Sequence, residues 1–176
     1  PRPSAGAWVL YGLGSENQNL PGFVSMCPGG LPIKDTENWQ AAFLPGAFQG
    51  TFVDSQHTEL KRLIENIEHP QIATPAQRRQ LDLLARLNQQ HRHARPDPRL
   101  EARIQSFELA FRMQTSVPEL TNLSSESEST FALYGDEARK PGTFANTGVL
   151  SRRLIERGVR WVQGYHNNWD THANVA

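Results

Sequence analysis

Residues 144–166, FANTGVLSRRLIERGVRWVQGYH, decide the fold class of this chain. The first part of the stretch places apolar residues near one face of a helix: Phe144, Leu150, Leu154 and Ile155. Gly158 fits the left-handed conformation that ends a helix, and VRWVQGYH continues at once as a β-rich run. A helix, a glycine and a strand form the αβ half of a βαβ unit, so the sequence predicts an α/β fold.

Two helices are predicted in the middle of the chain. Thr74-Pro75-Ala76-Gln77 offers a capping Thr, a Pro at the first helical position and a Gln that can close a capping box, which predicts a helix from about 75 to 93. Its predicted apolar face consists of Leu81, Leu84 and Leu87. After RPDP, Asp97 can cap a second helix with a predicted buried stripe at Leu100, Ile104, Phe107 and Phe111. We expect an antiparallel helical hairpin inserted in the α/β fold.

One helix and one strand are predicted in the first third of the chain. Ser4 is placed to cap a helix with its hydroxyl, and Gly12 or Gly14 is placed to end that helix. LPGFVSM then predicts a short apolar strand. Residues 27–58 are rich in Gly, Pro, Asp, Asn and Ser with scattered aromatic residues, which predicts a long ordered loop.

Composition excludes several classes of function. Eighteen Lys and Arg residues balance eighteen Asp and Glu residues, which argues against DNA, RNA or an anionic membrane as the main partner. The single cysteine, Cys27, excludes an intrachain disulfide and lacks the spacing of a structural zinc site, so a buried structural thiol is expected. No apolar run approaches the ~20 residues of a membrane span, and the sequence predicts no transmembrane segment.

The closing stretch, YHNNWDTHANVA, places candidate metal ligands directly after the predicted strand at 159–166. Ligands of open parallel sheets lie outside the carboxyl ends of the strands, so this stretch falls where an α/β active site is expected. Asp170 and His172 are candidate ligands of one ion, with His166 as a third ligand or as a hydrogen-bond partner of a ligand. From spacing alone, a polar turn whose side chains bond their own backbone is the favoured alternative.

Other candidate residues have weaker support. His91 and His93 fall at the end of the predicted helix at 75–93, where solvated imidazoles are usual, and His57 and His69 are isolated in loops. Ser4, Ser25 and Thr51 are nucleophile candidates by residue type alone, because none lies in a GxSxG motif. GLGSENQN and CPGG match neither the dinucleotide-binding pattern nor the P-loop pattern, so no nucleotide cofactor is predicted.

The chain resembles the bacterial family DUF1501, which is placed in the alkaline phosphatase and sulfatase superfamily. The likeness covers nearly the whole chain and rests on these stretches, in the expected order: RPSAGAWVLYGLGSENQNLPGFV, FLPGAFQGT, LDLLARLNQQH, LEARIQSFELAFRMQTSVPEL, LYG, SRRLIERGVRWVQGYH and WDTHAN. The resemblance implies an alkaline-phosphatase-like α/β/α sandwich. Residues 1–176 would form the central part of one such domain, without the segment that carries the family's nucleophile and without a later metal-binding segment.

The same resemblance implies a site and a chemistry. Asp170 and His172 match the Asp and His of the family's WDxH stretch, and His166 matches its strand-end His, so these three residues are expected to bind a divalent metal ion: Zn, Ca or Mn. The implied reaction is hydrolysis of a sulfate or phosphate ester, with polysaccharide sulfates as one substrate class. The nucleophile is not identified, and Cys27 does not fit the CxPxR setting of a sulfatase cysteine. The resemblance to this family also implies a periplasmic or secreted location.

Two hypotheses from other classes stay open at this point. A superfamily member that has lost catalysis would serve as a binding or cell-surface protein, and the missing nucleophile leaves room for it. A helical interaction module is the third hypothesis, supported by the paired helices predicted between residues 75 and 115.

Overall fold

The computed structural model describes residues 1–69, 71–94 and 98–166. Six helices lie in these ranges: α1 (Ala5–Leu13), α2 (Leu60–Leu63), α3 (Thr74–Ala94), α4 (Pro98–Thr121), α5 (Glu128–Tyr134) and α6 (Phe144–Glu156). Three short strands accompany them: β1 (Phe23–Met26), β2 (Thr51–Val53) and β3 (Trp161–Gly164). No helix of the described part of the chain is both long and apolar enough to cross a membrane.

The three strands form one parallel sheet with β1 in the centre, in the order β2-β1-β3. Val24 pairs with Thr51 on one side and with Val162 on the other. All four residues of β1 are buried, as expected for the central strand of a parallel sheet covered on both faces. The α/β class and the strands predicted at LPGFVSM and VRWVQGYH are confirmed.

Helices cover both faces of this sheet. On the first face, Phe23 packs with Leu10 of α1 and with Trp39 from the loop that follows β1. The Phe23 ring lies so close to Gly6 and Gly50 that a Cβ atom at either position would stand 2.6 Å from it. These two glycines are therefore required for the close approach of α1 and of the chain before β2.

The second face carries the larger apolar core. Side chains of β1 and β2 pack there with α2, the C-terminal half of α4 and α6, and the buried members include Val24, Met26, Val53, Leu63, Met113, Val117, Leu120, Leu150 and Leu154. The helix predicted at 144–157 is confirmed as α6, and Gly158 has φ 86° in the left-handed region that ends it. Of its predicted apolar face, Leu150 and Leu154 are buried, whereas Phe144 and Ile155 are about half exposed.

Four local predictions differ from the structure. The Ser4 hydroxyl makes no cap and donates instead to the Gln40 carbonyl at 3.1 Å. The predicted loop at 27–58 contains β2, a strand too short for its alternation to be recognised. The helix predicted from about 75 to 93 is present as α3, but Thr74 is its first residue and not its cap, because the Ala73 carbonyl accepts the first helical bonds. In α4 the buried stripe lies toward the C-terminus, at Met113, Val117 and Leu120, because that half packs on the sheet.

The predicted helical pair is present as α3 and α4. Gln114 donates to the Gln77 side chain at 3.0 Å, and Arg78 forms an ion pair with Glu108 at 2.7 Å. The contacts join the start of α3 to the middle of α4, as an antiparallel pair requires. Leu81 is buried, but the other two residues of the predicted apolar face, Leu84 and Leu87, are about half exposed.

Candidate functional site

The carboxyl ends of all three strands meet at one edge of the sheet, because the strands are parallel. Cys27 follows β1, Asp54 follows β2, and Tyr165 follows β3. The Tyr165 backbone N–H donates to the Met26 carbonyl at 2.8 Å, so the pairing of β1 and β3 continues one residue beyond the strand. His166 is the next residue, and the structure therefore places it at this edge.

His166 has an exposed side chain that packs against the start of α6. Its ring centroid lies 5.0 Å from that of Phe144, and the planes are at 81°. An edge-to-face contact of this kind restrains the direction of the imidazole ring. Asp170 and His172, the other two predicted ligands, lie outside the described residues. In the described part of the chain, no group of three or more His, Cys, Asp and Glu residues is placed to hold a metal ion.

A small polar group occupies the first face of the sheet near the same edge. Ser25 and Gln163 are cross-strand partners, and the Ser25 side chain is fully buried. The Gln163 amide donates to the Tyr165 hydroxyl at 2.6 Å. The Ser25 hydroxyl and the Gln163 carbonyl oxygen are buried without a hydrogen-bond partner among the described residues. Buried polar atoms of this kind mark positions where water or a ligand is expected.

The environment of Tyr165 disfavours the deprotonated form of its hydroxyl. Burial raises the pKa of Tyr165 above its ordinary value, and the nearby Cys27 raises it further. Since the hydroxyl accepts a hydrogen bond from Gln163, it retains its own proton to donate elsewhere. Neither Gln163 nor Tyr165 could be predicted as a site residue from the sequence, because neither belongs to a recognisable motif.

The segment after β2 is fixed to the start of α6. The buried Ser55 hydroxyl lies 3.1 Å from the Thr147 hydroxyl, and the Ser55 carbonyl accepts from the Gly142 N–H at 2.9 Å. His57 faces Asp54, with 3.7 Å between Nε2 and Oδ2. This His57–Asp54 contact gives the histidine a local structural role.

The remaining histidines of the described ranges take no part in this edge. The Nδ1 atom of His69 accepts from the Gln71 N–H at 3.1 Å, which stabilises a local turn. His91 is exposed on α3, as predicted for a residue near the end of that helix. Cys27 is buried directly after β1, as predicted.

Fold and site define an α/β protein in which a parallel sheet has a histidine at its carboxyl edge. The chain belongs to the DUF1501 family: the model of this family, which is described as a protein of unknown function, matches residues 1–176. A search of curated proteins and a search of solved structures each found no match to the chain.

Proposed function

We propose that this protein is a metal-dependent hydrolase of sulfate or phosphate esters, with its metal ion at the carboxyl edge of the sheet. The observation that carries the proposal is the position of His166, the second residue after β3, at the edge where the three parallel strands end. Open α/β folds bind their ligands outside this edge. Asp170 and His172 follow within six residues of His166 in the sequence and complete the proposed ligand set.

The donor atoms of this ligand set fit a divalent transition metal. Two imidazoles and one carboxylate suit zinc or manganese, whereas calcium prefers oxygen ligands alone. We therefore favour Zn or Mn over Ca as the ion held by His166, Asp170 and His172. Such an ion, when bound, would polarise the ester oxygen and lower the pKa of a hydroxyl or water.

Residues around the edge would assist this chemistry. The Phe144 ring orients the His166 imidazole through their edge-to-face contact. The Tyr165 hydroxyl accepts a hydrogen bond from Gln163, and its own proton is available to donate a hydrogen bond to a charged ester oxygen. We assign no residue as the nucleophile.

The proposal includes an alkaline-phosphatase-like α/β/α sandwich of which residues 1–176 form the central part. Helices on both faces of the sheet support such layers. The outer sides of β2 and β3 pair with no strand in the described ranges, and proteins generally cover such edges. A periplasmic or secreted location is proposed from the family resemblance alone.

Hydrolysis assays on the full-length protein test the function. We expect turnover of p-nitrophenyl sulfate or p-nitrophenyl phosphate that EDTA abolishes and that added Zn²⁺ or Mn²⁺ restores. Asp170→Ala should lower kcat/KM by at least about a hundredfold, the usual effect of removing a major source of charge stabilisation. His91→Ala, which removes an exposed histidine of α3, is the matched control and should retain full activity.

Full activity of Asp170→Ala would contradict the proposal. Metal binding without hydrolysis of any sulfate or phosphate ester would favour the alternative, a catalytically inactive member of the superfamily that serves as a binding or cell-surface protein.

A further inference from the structure

A cavity of about 760 Å³ lies between α4 and the segments that precede β1 and β2. One face of α4 lines it through residues spaced three apart: Arg103, Ser106, Leu109 and Arg112. Most of the facing wall comes from residues within 14–22 and 46–51. Binding sites for small molecules usually occupy about 300–1,000 Å³, so this cavity has a suitable size. We call it the arginine cavity.

The arginine cavity lies at the amino edge of the sheet, opposite the edge that carries His166. Gly22 and Gly50, which line the cavity, directly precede β1 and β2. The other end of α4 lies near the carboxyl edge, where Thr121 lines a smaller cavity together with Thr58, a residue that follows β2. Helix α4 therefore runs alongside the sheet from one edge to the other. The arginine cavity and the candidate metal site are two separate places in the fold.

The two arginines have no carboxylate partner in the described part of the chain. Neither Arg103 nor Arg112 forms an ion pair there, and both side chains are exposed. Glu108, one helical turn before Arg112, is already bound by Arg78 through two hydrogen bonds at 2.8 and 2.7 Å. The Arg103 guanidinium lies 5.8 Å from the centre of the Phe107 ring, a contact that leaves its N–H groups free to donate. Both guanidinium groups are therefore available to an anion.

The rest of the lining suits a polar organic molecule. None of the lining residues in the described ranges is acidic, so the two arginines give the cavity a positive charge. The amide groups of Gln18, Gln49 and Gln105 can each donate and accept hydrogen bonds. Leu20 and Phe48 add apolar surface. Sites for small molecules typically combine such apolar walls with a few polar groups that orient the ligand.

The spacing of the arginines favours an elongated ligand. Arg103 and Arg112 are nine positions apart on α4, which corresponds to about 13 Å along the axis at about 1.5 Å per residue. A single phosphate ion is small relative to this spacing. A molecule with anionic groups at two places along its length, by contrast, can meet both guanidinium groups at once.

We propose that the arginine cavity binds a small molecule that carries oxyanion groups, phosphate or carboxylate, at two or more places along its length. Guanidinium groups bind both kinds of oxyanion with paired, charge-assisted hydrogen bonds. Gln18, Gln49 and Gln105 would bond polar groups between the anionic ends. The inference does not depend on the proposed function, because the two sites lie at opposite edges of the sheet.

Calorimetric titration of the full-length protein with tripolyphosphate and with orthophosphate tests the proposal. The titrations use Asp170→Ala, so that an anion bound by a metal ion at the carboxyl edge does not contribute. We expect tripolyphosphate to bind at least about tenfold more tightly than orthophosphate, because it can engage both arginines.

Substitutions of single arginines test whether the ligand spans the cavity. Arg103→Gln and Arg112→Gln should each weaken tripolyphosphate binding about tenfold, and neither should change the temperature of thermal unfolding, since both side chains are exposed. Arg79→Gln removes the same charge from an exposed position of α3 that does not line the cavity. This matched control should leave the affinity unchanged.

A tricarboxylate of extended shape, 1,3,5-pentanetricarboxylate, distinguishes the two kinds of oxyanion. Tighter binding of tripolyphosphate would support a phosphorylated ligand, and tighter binding of the tricarboxylate would support a carboxylate ligand. Either result requires that the affinity depends on Arg103 and Arg112.

Three results would overturn the inference: no binding of either polyanion, equal affinity for orthophosphate and tripolyphosphate, or a loss of affinity in Arg79→Gln as large as in the cavity variants. The last result would show that binding follows net charge and not the cavity. Polyanion binding that needs both cavity arginines, in a protein that hydrolyses no ester, would support this inference and refute the proposed function. Ester hydrolysis that needs Asp170, without polyanion binding, would do the reverse.

Discussion

Helices α6 and α3 both have apolar residues at helical spacing, but α6 buries more of them: Phe144 and Ile155 of α6 are about half exposed, and of the predicted face of α3 Leu81 is the buried member. Val149, Leu150 and Leu154 of α6 are at most 5% exposed. On α3, by contrast, Leu84 and Leu87 are 45% and 52% exposed. The same kind of sequence pattern therefore corresponds to a core helix in one region and to a helix with an open apolar face in the other.

Contacts from distant parts of the chain explain the difference. Helix α6 packs on the sheet, and its buried Arg153 donates to Glu126 and to the Leu120 carbonyl near the end of α4. Helix α3 is attached near its start, through Gln77 and Arg78. Periodicity identifies a helix and its apolar face, but only residues far along the chain decide whether that face is covered.

The largest effect is expected when the buried ion pair of α6 is broken. Glu126→Ala leaves Arg153 buried without its carboxylate and removes one of the two carboxylate partners of Arg152, so the free energy of unfolding should fall by about 3–5 kcal/mol. Glu128→Ala removes the carboxylate of an exposed ion pair with Arg139 and is the matched control. Urea unfolding of the full-length protein measures both variants, and equal stability of the two would contradict this assignment.

A leucine truncation in each helix compares the two regions directly. Leu154→Ala should cost about 2–5 kcal/mol, because it opens a cavity in the core of the second sheet face. Leu87→Ala changes a half-exposed side chain and should cost less than about 1 kcal/mol. Thermal unfolding of both variants measures the difference. A large loss for Leu87→Ala would show that another part of the protein covers α3.

Low pH should reduce the stability of both regions. The effect should be larger for the contacts of α6 than for those between α3 and α4. The hydrogen bond from Arg153 holds the pKa of Glu126 below its ordinary value, and the one from Arg78 does the same for Glu108. Their contributions are therefore fully present above the ordinary pKa and are lost as the pH falls through the lowered folded-state pKa. Between pH 7 and pH 3, the free energy of unfolding should fall less steeply for Glu126→Gln than for the wild type.

Glu108→Gln is the matched variant in the helical pair. The Glu108 side chain is 27% exposed and that of Glu126 is 10% exposed, so solvent screens the Glu108 pair more. We expect Glu108→Gln to reduce the loss of stability at low pH by less than Glu126→Gln does. An acid profile that neither substitution alters would refute the role of both ion pairs.

The α/β class could be predicted because its signals are local. The helix at 144–156, Gly158 and the strand after it lie within about twenty residues, and each obeys a rule of short range. Strand β2 could not be predicted, since three residues are too few to show alternation and its pairing with β1 depends on the whole sheet.

The candidate site was partly predictable for the same reason. His166 follows a recognisable strand, so its place at the carboxyl edge could be inferred from the sequence. The burial of the Ser25 hydroxyl beside Gln163 depends on how β1 and β3 pair, across more than a hundred residues. The arginine cavity, of about 760 Å³, likewise lies between α4 and segments from the first third of the chain.

Metal content of the full-length protein, measured by mass spectrometry for the wild type, Asp170→Ala, His172→Ala and His91→Ala, tests the proposed site most directly. We predict that the wild type and His91→Ala carry the same number of divalent ions and that Asp170→Ala and His172→Ala each carry about one fewer, since a lost ligand weakens metal binding strongly. Equal metal content in all four proteins would contradict a metal site at the carboxyl edge of the sheet.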